Sequence, residues 1–176
     1  MDALFAVYTR RSVRQYGSGG VDEAQIENLL KAGMAAPSAG NSRPWHFIVI
    51  DDVAKLSEIS EIHPHAKMAA HAALAIMVCA EPALERYPGY WPQDCAAATQ
   101  NILIAAHAQG LGAVWCGIYP GIKDDSAFRK LFCLPDSVIP LSLVVLGPEK
   151  EEPKDPGRFD KARVHRNMFA FHKPSA

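Results

Sequence analysis

The sequence of 176 residues lacks the features of several large functional classes. No apolar run reaches the roughly 18 residues that a bilayer-crossing helix needs. The apolar run near the N-terminus is too short, and the residues after it too polar, for a secretory signal. The formal net charge of −1 provides no overall field to attract nucleic acid or an acidic membrane. These absences favour one globular domain in the cytoplasm, without a nucleic-acid or membrane partner.

Short catalytic and metal-binding motifs are also missing. There is no G-x-G-x-x-G after a strand and no G-x-S-x-G, so neither a Rossmann nicotinamide site nor a hydrolase is indicated. His63 and His65 flank Pro64, but no H-E-x-x-H or carboxylate cluster accompanies them, and we expect no metal site. The four cysteines include no C-x-x-C pair, and three of them lie in apolar stretches, which favours buried, inert thiols over an iron–sulfur cluster.

Hydrophobic periodicity predicts helices that alternate irregularly with four buried strands, which is typical of α+β or α/β folds. Asp22, with Gln25 three residues later, predicts a capping box at a helix start. The predicted helices cover residues 2–9, 22–36, 64–72, 93–109 and 123–132, with a short one after residues 51–52. The predicted strands cover residues 45–50, 73–79, 113–118 and 139–146, whereas 37–44 and 82–92 are loops.

The segment Arg10-Arg11-Ser12-Val13-Arg14 concentrates positive charge beside a hydroxyl group. Guanidinium groups match phosphate oxygens bidentately, so the segment predicts a phosphate site, with a solvated basic turn as the alternative. Lys161 and Arg163 lie in a basic tail with Arg158 and Arg166. They would face the same way in an extended chain and could close on that phosphate. The alternative for this tail is a charged, flexible terminus.

Two further segments are suited to contact with a flat ligand. Residues 37–42 place small polar side chains after a proline, and Gly40 permits close backbone approach. A plain helix–strand connection is the alternative. Gly117, at a predicted strand end, would let a ligand reach backbone N–H groups. Its neighbour Trp115 could line the same place or fill the core.

The order of these segments resembles the nitroreductase family of FMN enzymes. R-R-S-V-R-Q-Y (10–16) is similar to the family's phosphate-binding segment, and A-P-S-A-G-N-S-R-P-W-H-F (36–47) to its second motif. W-x-x-D-C-x-A-A-x-Q-N (91–101) and G-L-G-A-V-W-C-G-I-Y-P (110–120) resemble its central helix and the strand after it. R-F-D-K-A-R-V-H (158–165) looks like its C-terminal phosphate clamp.

The resemblance implies an α+β three-layer sandwich whose mostly antiparallel sheet is flanked by helices. It implies an FMN-binding core at residues 1–148 and an arm at 149–176, within one domain overall. The arm would add an edge strand to the partner's sheet in an intertwined homodimer. This would explain the apolar residues of the arm, Phe159, Val164, Met168 and Phe169. The apolar helix at 93–109 would pack on its symmetry mate.

The resemblance also implies a set of cofactor-binding residues. Arg10, Ser12, Lys161 and Arg163 would hold the phosphate and ribityl end, while Arg11 would join them or remain a solvated charge. Arg14 and Lys67 would lie at the N1 and O2 edge of the flavin. Pro37, Ser38 and Asn41 would reach the ring from the partner subunit, and backbone groups of Cys116 and Gly117 would contact N5 and O4. No catalytic side chain is implied, because the chemistry takes place at N5.

The implied activity is ping-pong reduction of nitroaromatics, quinones or similar flat acceptors by NADH or NADPH. Tyr87, Tyr90, Trp91 and Tyr119 are candidates to shape the acceptor pocket, with ordinary core or loop aromatics as the alternative. The chain lacks the long excursion of larger relatives, and Cys116 stands where many carry an acidic residue. An oxygen-using flavin enzyme that fragments the flavin, dehalogenates or oxidises a substrate, a flavin storage protein and a cofactor-free interaction domain are the other hypotheses.

Overall fold

The computed structural model describes residues 1–150 and 157–169 of the chain. Its five α-helices within this part are α1 (Ala3–Thr9), α2 (Glu23–Met34), α3 (Val53–Ile62), α4 (Trp91–Ala108) and α5 (Ser126–Phe132). Its strands are β1 (Trp45–Ile50), β2 (Leu74–Ala80), β3 (Leu111–Gly117) and β4 (Ile139–Pro148). Short 3-10 turns occur at Ala39–Asn41, Lys67–His71, Pro82–Leu84 and Lys161–Arg163.

Aspartates cap the N-termini of three helices. The side chains of Asp2 and Asp52 each accept two backbone N–H groups in the first turns of α1 and α3. The capping box predicted for Asp22 and Gln25 is confirmed at the start of α2. These caps satisfy N–H groups that have no partner within the helix. After the C-terminus of α4, Gly110 adopts the left-handed conformation that commonly ends a helix, with a φ of 74°.

The four strands form one antiparallel sheet in the order β1-β2-β4-β3. All seven residues of β2 are buried, so both faces of the sheet are covered. Ile76 and Val78 contribute to a core shared with α2 and α4. Met77 and Cys79 contribute to a second core shared with α3 and α5. The predicted α+β three-layer sandwich is confirmed.

The N-terminal segment crosses the sheet after α1. Val13 N–H donates to the carbonyl of Ala113 in β3 at 2.9 Å, and Gly17 N–H donates to the carbonyl of Pro148 at 2.9 Å. A Cβ atom on Gly112 would lie only 2.6 Å from a methyl carbon of Val13. The glycine in β3 therefore allows this close crossing, which carries Arg14 towards the far end of β3.

Three predicted elements differ from the observed ones. The helix expected at 64–72 is a 3-10 turn, Lys67–His71, and the helix expected at 123–132 begins at Ser126. Lys161 and Arg163 lie in a 3-10 turn rather than an extended chain, so they do not face the same way by strand alternation. Residues 151–156 and 170–176 of the predicted arm lie outside the described residues. Within the described ranges, no helix has the length and apolarity of a membrane span.

Candidate functional site

An open cleft of about 400 Å³ lies at the end of β3. It gathers side chains from the N-terminal segment, the 3-10 turn after α3 and the last residues of β3. Its lining consists of Arg14, His65, Lys67, Met68, Trp115, Cys116 and Gly117. Four of the predicted cofactor-binding residues, Arg14, Lys67, Cys116 and Gly117, are therefore neighbours, although they are widely separated in the sequence.

Two exposed cations form one part of this lining. Arg14 arrives on the N-terminal segment as it crosses β3, and Lys67 begins the 3-10 turn after α3. Within the described residues, neither side chain forms an ion pair with a carboxylate. Because their charges are not neutralised by the protein, they are available to a ligand that carries or develops negative charge.

The end of β3 forms another part of the lining. A Cβ atom on Gly117 would have only the indole nitrogen of Trp115 near it, at 4.0 Å, so the backbone there is open to a ligand. The Cys116 thiol donates to the carbonyl of His65 at 3.5 Å. Burial raises the pKa of this thiol, and the positive charge of Arg14 opposes that effect only in part. The Cys116 thiol is therefore uncharged at neutral pH.

His63 lies behind the lining and is 1% exposed. Its Nε2 is 3.2 Å from the carbonyl oxygen of Gly117, and its Nδ1 accepts the backbone N–H of His65 at 3.1 Å. Burial lowers the pKa of His63, against the opposing effect of its hydrogen bond to Gly117, and the nearby His65 lowers it further. From the sequence, His63 and His65 are considered only as metal ligands. Their contact with Gly117 depends on chain folding, and no sequence pattern signals it.

The arginine segment forms a second group of positive charge. The pKa of Arg10 is lowered by partial burial and then by the charges of Arg158 and Arg11. Arg11 also donates to the carbonyls of Thr9 and Arg10, at 3.2 and 3.3 Å, and so braces its own turn. No carboxylate pairs with these arginines among the described residues. Such a cluster of like charges is suited to a phosphate group.

The C-terminal tail meets this cluster through Arg158 rather than through the two residues predicted. Arg163 is paired with Asp160 through Nε at 3.1 Å, with an 86% exposed side chain, and Lys161 is exposed. Arg158 belongs to the basic tail that the sequence singled out, but its position near Arg10 follows from the path of the chain. No local pattern distinguishes it from its basic neighbours.

The loop after α2 stands apart from the cleft of its own protomer. Pro37, Ser38 and Asn41 are absent from the cleft lining. Pro37 and Asn41 are exposed, so they are free to meet another molecule. Their predicted contact with the flavin of a partner subunit stays a prediction.

A buried carboxylate fixes the conformation of this loop. Asp94 in α4 is 6% exposed and accepts the N–H of Ala39 at 3.0 Å through Oδ1, while its Oδ2 has no hydrogen-bond partner among the described residues. Asn41 and Arg43 both have positive φ, at 57° and 50°, which is strained for residues with a side chain. The Ser42 hydroxyl accepts the N–H of Arg86 at 2.9 Å and ties the loop to the next segment.

One of the four aromatic candidates, Tyr87, lies against the same loop. A Cβ atom on Gly40 would approach the Tyr87 ring to 2.8 Å, so this ring lies directly on the glycine. Trp91 is buried and packs against Tyr119 with ring centroids 4.7 Å apart. Tyr87, Tyr90 and Tyr119 keep roughly half of their surface exposed, at 51, 48 and 44%. These three rings therefore lie at the surface, whereas Trp91 belongs to the core.

Known proteins match almost the whole chain. The sequence profile of the nitroreductase family matches residues 7–78 and 64–147. A Methanothermobacter thermautotrophicus protein, provisionally named NADH dehydrogenase/NAD(P)H nitroreductase, is 47% identical over 165 residues, 94% of this chain and 86% of that protein. A crystal structure of a Bacteroides thetaiotaomicron protein with the same provisional name has 40% identity and a TM-score of 0.89, covering 95% and 98% of the two chains.

A further solved structure contains a bound cofactor. It is a provisionally named nitroreductase from Desulfovibrio desulfuricans in complex with FMN, with 26% identity and a TM-score of 0.83, covering 96% of this chain and 98% of that one. Since the family profile spans most of the chain and a relative of nearly equal extent is close to half identical, the family is established. The chain belongs to the nitroreductase family.

Proposed function

We propose that this chain is an FMN-dependent oxidoreductase that uses NAD(P)H to reduce nitroaromatic, quinone or similar flat acceptors in a ping-pong cycle. The observation that carries the proposal is the cleft at the end of β3, which Arg14 and Lys67 line together with the open backbone of Gly117. Membership of the nitroreductase family and the FMN complex of a relative support it.

The residues of the cleft fit a flavin. Met68 and Trp115 offer apolar surface to a flat ring, while Arg14 and Lys67 offer positive charge at one edge. Arg10 and Arg158 provide a second positive region suited to the phosphate. A ligand with an apolar ring and a terminal phosphate meets both requirements, whereas a small anion alone would leave the apolar surface unused.

Each group in the site has a defined task. Bound FMN supplies reversible hydride chemistry, which is the cofactor's own. Arg14 and Lys67 favour negative charge at the N1 and O2 edge of the ring. Arg10 and Ser12 would hold the phosphate end, and Lys161 and Arg163 of the tail are the further residues predicted to bind it. Gly117 keeps its backbone within reach of the ring.

The open side of the cleft accommodates both substrates in turn. NAD(P)H and the electron acceptor would occupy the same exposed side, which makes the cycle ping-pong. The exposed ring of Tyr87 lies on Gly40 of the loop after α2, so in the homodimer it would reach the partner's site with that loop and is suited to stack on a flat acceptor there. A flat, conjugated acceptor therefore suits this surface better than an aliphatic one.

The proposal includes a homodimer with two such sites. Pro37, Ser38 and Asn41 of the partner subunit would complete each site, since the same residues do not line the cleft of their own chain. The apolar side chains of α1 support an interface, because Leu4, Phe5, Val7 and Tyr8 are 48–61% exposed in the single chain.

The test is spectroscopic. Purified protein mixed with FMN and gel-filtered should remain yellow, and anaerobic NADH or NADPH should bleach the flavin. A quinone should then restore the absorbance. Bleaching without faster acceptor turnover than free FMN would indicate a storage protein, and product formation only with oxygen would indicate the oxygen-using alternative. A protein that stays colourless contradicts the proposal.

The cofactor residues are tested with a double variant. Arg14→Ala with Arg163→Ala should lose FMN on gel filtration, because it removes one cation from each end of the site. Lys31→Ala serves as the control for lost positive charge, since Lys31 lies on α2 and pairs with Glu27 in the next turn. Retention of FMN by the double variant would refute the assignment.

A further inference from the structure

His63 links the two sides of the cleft without lining it. It follows α3 as the cap residue, and both of its ring nitrogens are engaged. Nδ1 faces the N–H of His65, on the side that continues to Lys67, and Nε2 faces the carbonyl of Gly117, on the β3 side. One buried ring therefore spans the gap between the cationic and the backbone parts of the lining.

The geometry fixes the proton on this ring. A backbone N–H can only donate, so Nδ1 of His63 must be the acceptor for His65 and carries no proton. In the neutral ring the proton is then on Nε2, which donates to the Gly117 carbonyl at 3.2 Å. His63 thus acts as a neutral acceptor–donor bridge.

The Gly117 backbone needs such a bridge. Glycine has the greatest conformational freedom of any residue, so an open glycine at a strand end is poorly fixed on its own. Here the peptide unit between Gly117 and Ile118 is held at both ends. Its carbonyl accepts from His63, and its N–H donates to the carbonyl of Leu141 at 2.9 Å.

Two further contacts hold the bridge itself. The His63 ring makes an edge-to-face contact with Phe128 of α5, with centroids 6.0 Å apart and planes at 82°. The Cys116 thiol donates to the His65 carbonyl at 3.5 Å, which makes a second link between the same two segments. With these contacts the ring is a rigid spacer of fixed orientation.

We propose that His63 is a positioning residue that orients the Gly117–Ile118 peptide and sets its separation from Lys67 for the bound flavin. The inference rests on the proposed function, since it assigns Gly117 to the ring. It gives the buried histidine a role that neither metal binding nor simple core packing would require. His63 touches no substrate in this account and acts through Gly117.

Two substitutions separate the two bonds of the bridge. The amide oxygen of His63→Asn lies about where Nδ1 does, so it can accept from His65 but cannot reach Gly117. The longer amide of His63→Gln reaches the Gly117 carbonyl and gives up the bond to His65. His71→Asn is the matched control, because His71 is exposed on the following 3-10 turn.

The readouts are the FMN dissociation constant from flavin fluorescence and hydrogen exchange of residues 116–120 in cofactor-free protein. We expect His63→Asn to weaken FMN binding about tenfold, the equivalent of one hydrogen bond, and His63→Gln to weaken it less than about threefold. Exchange near Gly117 should accelerate in the Asn variant alone.

Two outcomes would contradict the role proposed for His63. Equal losses of FMN affinity in the Asn and Gln variants, or unchanged affinity in Asn, would show that His63 only packs the core. If the wild-type protein does not bind FMN, the proposed function fails. The exchange difference between the variants would then still decide whether His63 holds the Gly117 peptide.

Discussion

Asp94 and His63 are buried polar side chains that hold backbone segments in place. Asp94 secures the loop after α2 through the N–H of Ala39, and His63 secures the end of β3. Arg14 and Gly117 could be placed in the site from sequence because their segments resemble known motifs. The roles of Asp94 and His63 could not, since their partners lie 55 and 54 residues away in the chain.

Asp94→Ala should lower the free energy of unfolding by about 1–3 kcal/mol, because the N–H of Ala39 loses its acceptor in a partly buried place. It should also loosen the strained backbone at Asn41, and FMN retention should fall if that loop completes the partner's site. Urea unfolding of the cofactor-free protein measures the first effect.

Asp94→Asn is the informative control for that substitution. The amide oxygen can still accept from Ala39, so its stability should lie closer to wild type than to the Ala variant. If the Asn and Ala variants are equally unstable, the hydrogen bond to Ala39 is not what Asp94 contributes.

His63 also predicts a pH dependence of stability. Burial lowers its pKa in the folded protein below the ordinary value of 6.5, so the unfolded chain binds the proton first as the pH falls. The stability contributed by the neutral ring is therefore complete above pH 6.5 and is lost as the pH falls towards the folded pKa. Between about pH 7.5 and 5.5, wild type should lose more unfolding free energy than His63→Gln, which cannot titrate.

The neighbouring histidine is the control for this measurement. His65 is a second histidine beside it, with its ring centroid 6.3 Å from that of His63. His65→Gln keeps the backbone N–H that bonds to His63, so it should retain most of the pH dependence. An identical pH dependence in wild type and His63→Gln would contradict the assignment.

At the scale of elements, the crossing of the N-terminal segment over β3 is the arrangement that builds the cleft. The four strands and the long helix α4 could be predicted from periodicity, since burial on one or two faces leaves a regular pattern. The crossing could not, because it depends on Gly112 in β3 and Gly147 in β4 lying against Val13 and Tyr16 of a distant segment. The turn at Lys67–His71 was predicted as a helix because its apolar residues also suit helical spacing.

Gly112→Ala tests this crossing. The new Cβ atom would lie 2.6 Å from a methyl carbon of Val13 and 2.9 Å from its Cβ, so the segment must move away from the strand. We expect a loss of about 1–3 kcal/mol in the free energy of unfolding, as for other overpacked sites. FMN binding should also weaken, because Arg14 adjoins Val13.

Gly20→Ala provides a matched control for the glycine substitution. A Cβ atom there has no neighbour within 4 Å, so stability and FMN binding should stay close to wild type. Equal effects of the Gly112 and Gly20 substitutions would show that close packing against Val13 does not limit the position of Arg14.

At the scale of the whole molecule, the two edges of the sheet differ. The β3 edge is covered by the N-terminal segment, through the bridge between Ser12 and Ala113. In the described part of the chain, β1 pairs only with β2, so its outer edge is left without a strand. An uncovered edge readily accepts another strand. The arm of a second copy is the proposed cover, and the sequence suggested this only through its resemblance to the family.

Phe159→Ala with Met168→Ala tests the dimer without disturbing the core. These side chains are 81 and 77% exposed in the single chain, so truncating them removes little packing within one protomer. If they are buried against the partner, the dimer dissociation constant should rise at least about tenfold, because large apolar anchors dominate interface energies. Sedimentation velocity over a concentration series measures this constant.

Val53→Ala is the matched control, since Val53 is 75% exposed on α3 and should leave the dimer unchanged. A wild-type protein that sediments as a monomer at micromolar concentration would contradict the homodimer. If the double variant behaves like Val53→Ala, the homodimer remains supported but the arm is not part of its interface. The phosphate role of Lys161 and Arg163 would then have to be tested within one chain.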